Sequence, residues 1–158
     1  MKKIQLDNYF TNIFKNEKEV LSLGLPITVL YKHIFQHNIN MLQEKYDLSH
    51  SELDVLGALC YSGKILSPTQ LSEATIFSSG GMTKILKKLK DKKLITRVPS
   101  KNDKRSLLVK IEPKGEKLME NCLTDLAKFQ DELFSVLDEE EKDSLKKIYH
   151  KLVYSILD

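Results

Sequence analysis

The sequence contains no apolar run approaching the roughly 20 residues a helix needs to cross a bilayer, so no membrane partner is expected. No apolar segment follows the two lysines of the opening MKKIQLDNYF, which argues against a secretory signal and for a soluble, cytoplasmic protein. Cysteine is scarce. Cys60 and Cys122 lie in the apolar helical patterns LDVLGALCY and LMENCLTDL, without C-x-x-C spacing, so structural zinc and thioredoxin-like chemistry are unsupported. Buried, inert thiols are expected, with redox sensing as the alternative. A Gly-rich phosphate loop, a nucleophile–base set and a metal motif are all missing, so an enzyme is not expected and no cofactor is implied. His33 and His37 have a four-residue spacing that metals use, but no cysteine or acidic cluster accompanies them, and they read as a solvated or packed pair. His50 and His150 are single and expected to be exposed. The DEEEKD run at residues 138–143 reads as a helix start favoured by the macrodipole and not as a catalytic carboxylate pair. With no internal repeat and no low-complexity linker, the 158 residues read as one small domain with helical extensions. A hydrophobic fraction of 41% is enough for a core, and disorder is not expected.

What is present is a concentration of positive charge. Eleven Lys/Arg against two Asp between Lys84 and Lys110 give that stretch +9, while the whole chain nets only +3. The remainder is therefore acidic by six charges, and the basicity belongs to one place. Its form is an amphipathic helix followed by two short β-type runs joined by a polar turn. A cationic helix beside a cationic hairpin suits a DNA duplex, one entering the major groove and the other straddling the backbone.

Elsewhere helical periodicity dominates. A first stretch from Leu6 to Leu23 carries Phe10, Ile13, Phe14, Val20 and Leu21, and Gly24 with Pro26 is expected to interrupt it. A second helix is expected from Ile27 to Tyr46. Ser49 with Glu52 forms a capping-box pattern before a helix carrying Leu53, Leu56, Leu59 and Cys60. Ser67-Pro68 opens a short helix from Thr69 to Ala74. A Ser-Ser-Gly-Gly stretch at 78–81 leads into a helix expected to start at Gly80 and end near Lys93. Ile95–Val98 and Leu107–Ile111 read as strands of a hairpin around Ser100–Lys104. A long helix follows from Pro113 to Leu137, and Asp138 with Glu141 caps the last one. The stripes on the terminal helices, Leu118 to Val136 and Leu145 to Ile156, are wider than a small domain needs, so a helical dimer interface between two copies is expected.

The short helix from Thr69, the turn at 76–79 and the basic helix make a helix-turn-helix candidate. Met82, Ile85, Leu86 and Leu89 should face the core. The opposite face carries Gly80, Thr83, Lys84, Lys87 and Asp91, with Lys88 at its margin. Recognition helices lead with their N-termini, which places Ser78, Ser79 and Gly80 nearest the base edges. The lysines suit phosphates, while Ser79 and Thr83 can exchange hydrogen bonds with bases. Lys101, Lys104 and Arg105 cluster at the hairpin turn, where an arginine can enter a narrow minor groove. Asp103 among them is expected to pair with Arg97 or Arg105. Helix-turn-helix plus basic hairpin gives a winged helix. A non-specific architectural DNA binder and a winged helix used for protein contacts remain open at this point.

The run Asp103-Lys104-Arg105-Ser106-Leu107-Leu108-Val109-Lys110-Ile111-Glu112-Pro113-Lys114-Gly115 resembles the wing pattern of the multiple-antibiotic-resistance regulators (MarR family) of bacteria and archaea. Met82–Leu89 with Leu94–Arg97 is similar to that family's recognition helix and first wing strand, and Leu48-Ser49 through Val55-Leu56 to its preceding helix. The resemblance implies a homodimeric winged-helix transcription factor, usually a repressor, whose DNA affinity changes on binding a small molecule or on oxidation. It makes Arg105 the minor-groove arginine, Asp103 its positioning partner and residues 78–88 the major-groove reader. Two departures stand out. Lys93 occupies a turn where the family commonly has Gly, which would put a lysine at positive φ, and Glu112-Pro113 replaces the usual Leu-Thr. The family's oxidation sensors keep their cysteine near the first dimerisation helix, and this chain has none before position 60.

The fold expected is mainly α with a small β-hairpin wing: a winged helix-turn-helix with long N- and C-terminal dimerisation helices. Residues 1–47 and 113–158 would form the dimerisation parts and 48–112 the DNA-binding lobe. The partners expected are a pseudo-palindromic operator duplex, a second copy and a small-molecule effector. Tyr31, Phe35, Cys60 and Tyr61 are the candidates for an effector pocket.

Overall fold

The structure, a computed structural model, describes residues 4, 7–8, 11–12, 20–75, 81–100 and 107–157. The described elements run α1 (Leu21–Tyr46), α2 (His50–Tyr61), β1 (Ile65–Leu66), α3 (Pro68–Ala74), α4 (Met82–Asp91), β2 (Ile95–Pro99), β3 (Leu107–Ile111), α5 (Pro113–Phe134) and α6 (Glu139–Tyr154). The chain divides into two compact units, residues 1–53 and 54–158.

In the first unit, α1 does not break where Gly24 and Pro26 were expected to interrupt it: it runs from Leu21 to Tyr46 with Pro26 inside. Pro26 lies early in the helix, so its missing N–H and its ring affect only the carbonyl of Ser22, one turn from the start. Thr28 Oγ1 donates to the Gly24 carbonyl at 3.2 Å, adding a partner where the ladder is weakened. The helix stops at Asp47, which adopts φ 49°, and the Leu48 N–H returns to the Leu42 carbonyl at 3.0 Å. Leu42 and Leu48 are fully buried there. The capping box read from Ser49 and Glu52 is present. Glu52 N–H donates to Ser49 Oγ at 3.3 Å, and Ser49 N–H to Glu52 Oε2 at 2.8 Å. Phe10, Ile13 and Phe14 of the first expected stretch lie outside the described residues.

The second unit wraps its core around a three-stranded antiparallel sheet of order β1-β3-β2. Leu56, Leu59, Leu71, Leu89, Val109 and Cys122 are fully buried in it. The wing strands pair from Ile95 opposite Ile111 to Pro99 opposite Leu107. β1 was not anticipated. Two residues carry no periodicity, and Ile65-Leu66 becomes a strand because Gly63 and Lys64, at φ 108° and 70°, turn the chain back onto β3. α3 opens with Ser67 and Gln70 capping each other reciprocally, at 3.1 and 2.8 Å, and Pro68 sits at its first position.

α4 starts at Met82 and not at Gly80. Gly81 is its N-cap at φ 91°, so a residue free of the Cβ penalty is needed there for conformation. Its other end is a Schellman turn. Leu94 N–H reaches the Leu89 carbonyl at 3.0 Å and Lys93 N–H the Lys90 carbonyl at 2.9 Å, with Lys93 at φ 59°. The positive φ anticipated for Lys93 is therefore present. Replacing Lys93 with Gly should raise stability by about 0.5–1 kcal/mol, since the left-handed strain disappears while unfolded-state entropy offsets part of the gain. A higher urea midpoint at unchanged m-value would show it; a fall would contradict it.

α5 ends at Phe134, three residues before the expected Leu137, because Asp138 must be extended (ψ 176°) to cap α6. Asp138 Oδ1 accepts from Glu141 N–H at 2.8 Å, and Glu141 Oε2 accepts from Asp138 N–H at 2.9 Å. Val136, expected on the α5 stripe, sits in this turn and is 83% exposed. Of the sixteen residues of α6, all described, none is buried, and Ile148, Leu152 and Val153 are about half exposed.

Candidate nucleic-acid interface

The basic face begins with how α4 is anchored. Leu86 and Leu89 are buried and Met82 and Ile85 half-buried, the i, i+3, i+4, i+7 pattern that turns one side of the helix inward. Thr83, Lys84, Lys87, Lys88 and Asp91 are exposed, so the face expected to meet the duplex is uncovered. Ser78, Ser79 and Gly80, expected nearest the base edges, lie outside the described residues, as do Lys101, Asp103, Lys104 and Arg105 at the wing turn. The ladder still brackets that turn, since its outermost pair is Pro99 opposite Leu107.

Arg97 is placed differently from the turn cations. It stands directly opposite Val109, which is fully buried, while Thr96 and Lys110 pair on the other face of the sheet. Side chains alternate along a strand, so the half-buried Arg97 stem leaves from the covered face and its guanidinium can emerge only by snorkelling.

Of the four effector candidates, Tyr31 and Phe35 belong to the first unit and Cys60 and Tyr61 to the second. In the first unit Tyr31 and Phe35 stack with ring centroids 5.3 Å apart, and Phe35 meets the His50 ring at 5.1 Å. His50, expected to be exposed, is half-buried. Its place at the start of α2 gave no hint of that, because the Phe35 contact is between helices. Tyr61, in the second unit, is 72% exposed. Cys60 is half-buried, and burial first, then the Glu116 carboxylate, push its thiol up, against an opposing pull from Lys64. Burial and Asp125 push the Cys122 thiol up to about 11. A raised thiol pKa means less thiolate at neutral pH, so neither cysteine has the environment of a reactive sensor. Cys60 had been expected to be buried outright; it is open to solvent on one side.

His33 and His37 are both exposed on α1, and among the described residues no group of three or more His, Cys, Asp or Glu is placed to hold a metal. Among the same residues no helix is long and apolar enough to cross a membrane. A groove of about 500 Å³ between α5 and α6 has Phe134, Leu145 and Tyr149 along it, with Asp131, Lys142 and Lys146 around them.

A tri-helical unit with one short strand between its first two helices, whose third helix shows a cationic outer face and leads into a two-stranded wing, is a winged helix-turn-helix. The comparisons with known proteins agree. Residues 46–106 match the model of the MarR family. The HTH-type transcriptional regulator MhqR of Bacillus subtilis is 33% identical over 122 residues, covering 77% of this chain and 82% of that protein. The multiple antibiotic resistance protein MarR of Salmonella typhimurium is 32% identical over 84 residues, 53% of this chain and 58% of that one. A MarR family protein from Bacillus stearothermophilus has the same fold, with a TM-score of 0.78 at 17% identity over 90% of this chain and 99% of its own. The chain belongs to the MarR family and is a transcriptional regulator of the winged-helix class.

Proposed function

We propose that the protein is a homodimeric, sequence-specific repressor that binds a pseudo-palindromic operator in the cytoplasm and leaves it when a small molecule binds. The observation that carries this reading is α4: one side is buried and the other carries exposed Thr83, Lys84, Lys87 and Lys88. In this reading residues 48–112 form the DNA-binding lobe, and residues 1–47 and 113–158 the dimerisation parts. Ser78, Ser79, Gly80 and Thr83 lie at base edges, Lys84, Lys87, Lys88, Arg97, Lys101 and Lys104 hold phosphates, and Arg105, positioned by Asp103, enters the minor groove. The uncovered apolar side chains of α6 support pairing with a second copy. The Tyr31–Phe35–His50 stack supports an apolar or aromatic effector. The regulator acts by binding and performs no catalysis, and cysteine oxidation is not its switch.

Competition binding tests the reading. A duplex from the protein's own upstream region should bind at least 10³-fold more tightly than a scrambled duplex of equal length at the same salt, the lower end of the range for specific over non-specific binding. Equal affinity for the two would make it an architectural DNA binder instead.

A further inference from the structure

We propose that the junction between the end of α4 and the first turn of α5 is a rigid joint built around Gly115, which fixes the direction of the recognition helix and so sets the half-site spacing the dimer accepts. The inference rests on the dimeric, operator-binding reading given above.

The joint is made of backbone. Glu112 N–H donates to the Leu94 carbonyl at 2.9 Å, and Lys114 Nζ donates to the Lys92 carbonyl at 3.1 Å. Directly after these two ties comes Gly115, buried in the first turn of α5. A methyl group at this position would overlap the Leu94 carbonyl oxygen and would meet Ile111 Cγ1 at 3.0 Å. The opposing atom is a peptide oxygen, so no rotamer change can give way. The α4–β2 turn that carries Leu94 is itself held by the Schellman bonds, with Lys93 at φ 59°. Glu116, the next residue on α5, pairs with Lys64 at 2.9 Å, and the Lys64 carbonyl accepts Ile111 N–H at 3.0 Å. The first turn of α5 is therefore gripped both by the α4–β2 turn and by the turn before β1.

This placement has a mechanical consequence. Close-packed interiors transmit strain, so separating Gly115 from Leu94 moves the whole α4–β2 turn. α4 runs directly out of that turn for about 15 Å, and a tilt of a few degrees displaces its far end by roughly 1 Å. In a symmetric dimer the two displacements combine, against a base-pair rise of about 3.4 Å. The combined shift, about 2 Å, is more than half of one base-pair step and so biases which spacing fits.

The test uses the full-length protein and a set of duplexes in which the two half-sites keep their own spacer or have it one base pair longer or shorter. Gly115→Ala should change the ratio of affinities between the native and the altered spacers at least five-fold, at unchanged dimer mass. Gly57→Ala is the control. It also adds a methyl at a buried glycine, but there it meets only the far end of Met119, Cε at 3.3 Å, which can move. Its spacer ratio should match the parent protein's. If Gly115→Ala fails to fold, the double variant Lys114→Met/Glu116→Gln removes the two side-chain ties, to the Lys92 carbonyl and to Lys64, from outside the core and should shift the same ratio at least two-fold. A spacer ratio equal to the parent's in whichever variant folds would overturn the joint. A parent protein that is monomeric, or indifferent to spacer length, would instead overturn the dimeric reading beneath it.

Discussion

Ile148→Glu combined with Leu152→Glu should convert the protein from dimer to monomer and reduce operator affinity at least a hundred-fold. The two positions are four apart on α6 and so share a face. Both side chains are about half exposed in the single chain, and none of the sixteen described residues of α6 is buried. Removing their apolar surface therefore costs the isolated chain little. In a dimer the same surface would be covered, at about 1.5–3 kcal/mol for each large apolar side chain fully buried. Two carboxylates placed there would also have to lose their water without a partner. Each 1.4 kcal/mol lost is about ten-fold in association, so a hundred-fold drop is a conservative expectation. Sedimentation at micromolar concentration reads the mass, and circular dichroism should show unchanged helix content. A dimer of parental stability would mean that α6 is not the interface.

Lys84→Ala with Arg105→Ala should abolish detectable operator binding while leaving the dimer intact. Lys84 is exposed in the first turn of α4, the end proposed to lead into the groove. Losing one phosphate contact should weaken binding to every sequence alike and flatten the salt dependence by about 0.9 in log–log slope. Arg105, in the minor-groove role the family resemblance assigns it, should affect the specific duplex more than the scrambled one. The two single variants thus separate positioning from reading. Equal losses on both duplexes for both variants would favour an architectural binder, and no loss for either would favour a winged helix used for protein contacts.

Much of this was legible in the sequence because local chemistry and tertiary structure agree. The Ser49/Glu52 and Asp138/Glu141 boxes are satisfied by partners three residues away, so pattern alone locates those helix starts. The buried Leu86 and Leu89 and the exposed Lys84 and Lys87 follow from helical spacing in the same way. What was not legible depends on partners distant in sequence. Pro26 looks like a helix break until it is clear how near the helix start it falls. Ile65-Leu66 is a strand only because β3 lies beside it. The half-burial of His50 comes from the Phe35 ring, fifteen positions earlier. Arg97 reads as a strand cation available to DNA or to Asp103, yet the pairing register puts its stem on the covered face. Gly115 resembles an ordinary helix start until the Leu94 carbonyl is found against it.

Hydroxyl-radical footprinting of the protein on its own upstream region is the most direct test of whether two exposed α4 faces read successive major grooves. Two protected segments centred about one helical turn apart, roughly 34 Å along one side of the duplex, are expected. One protected segment, or weak protection spread evenly along the fragment, would contradict a paired reader.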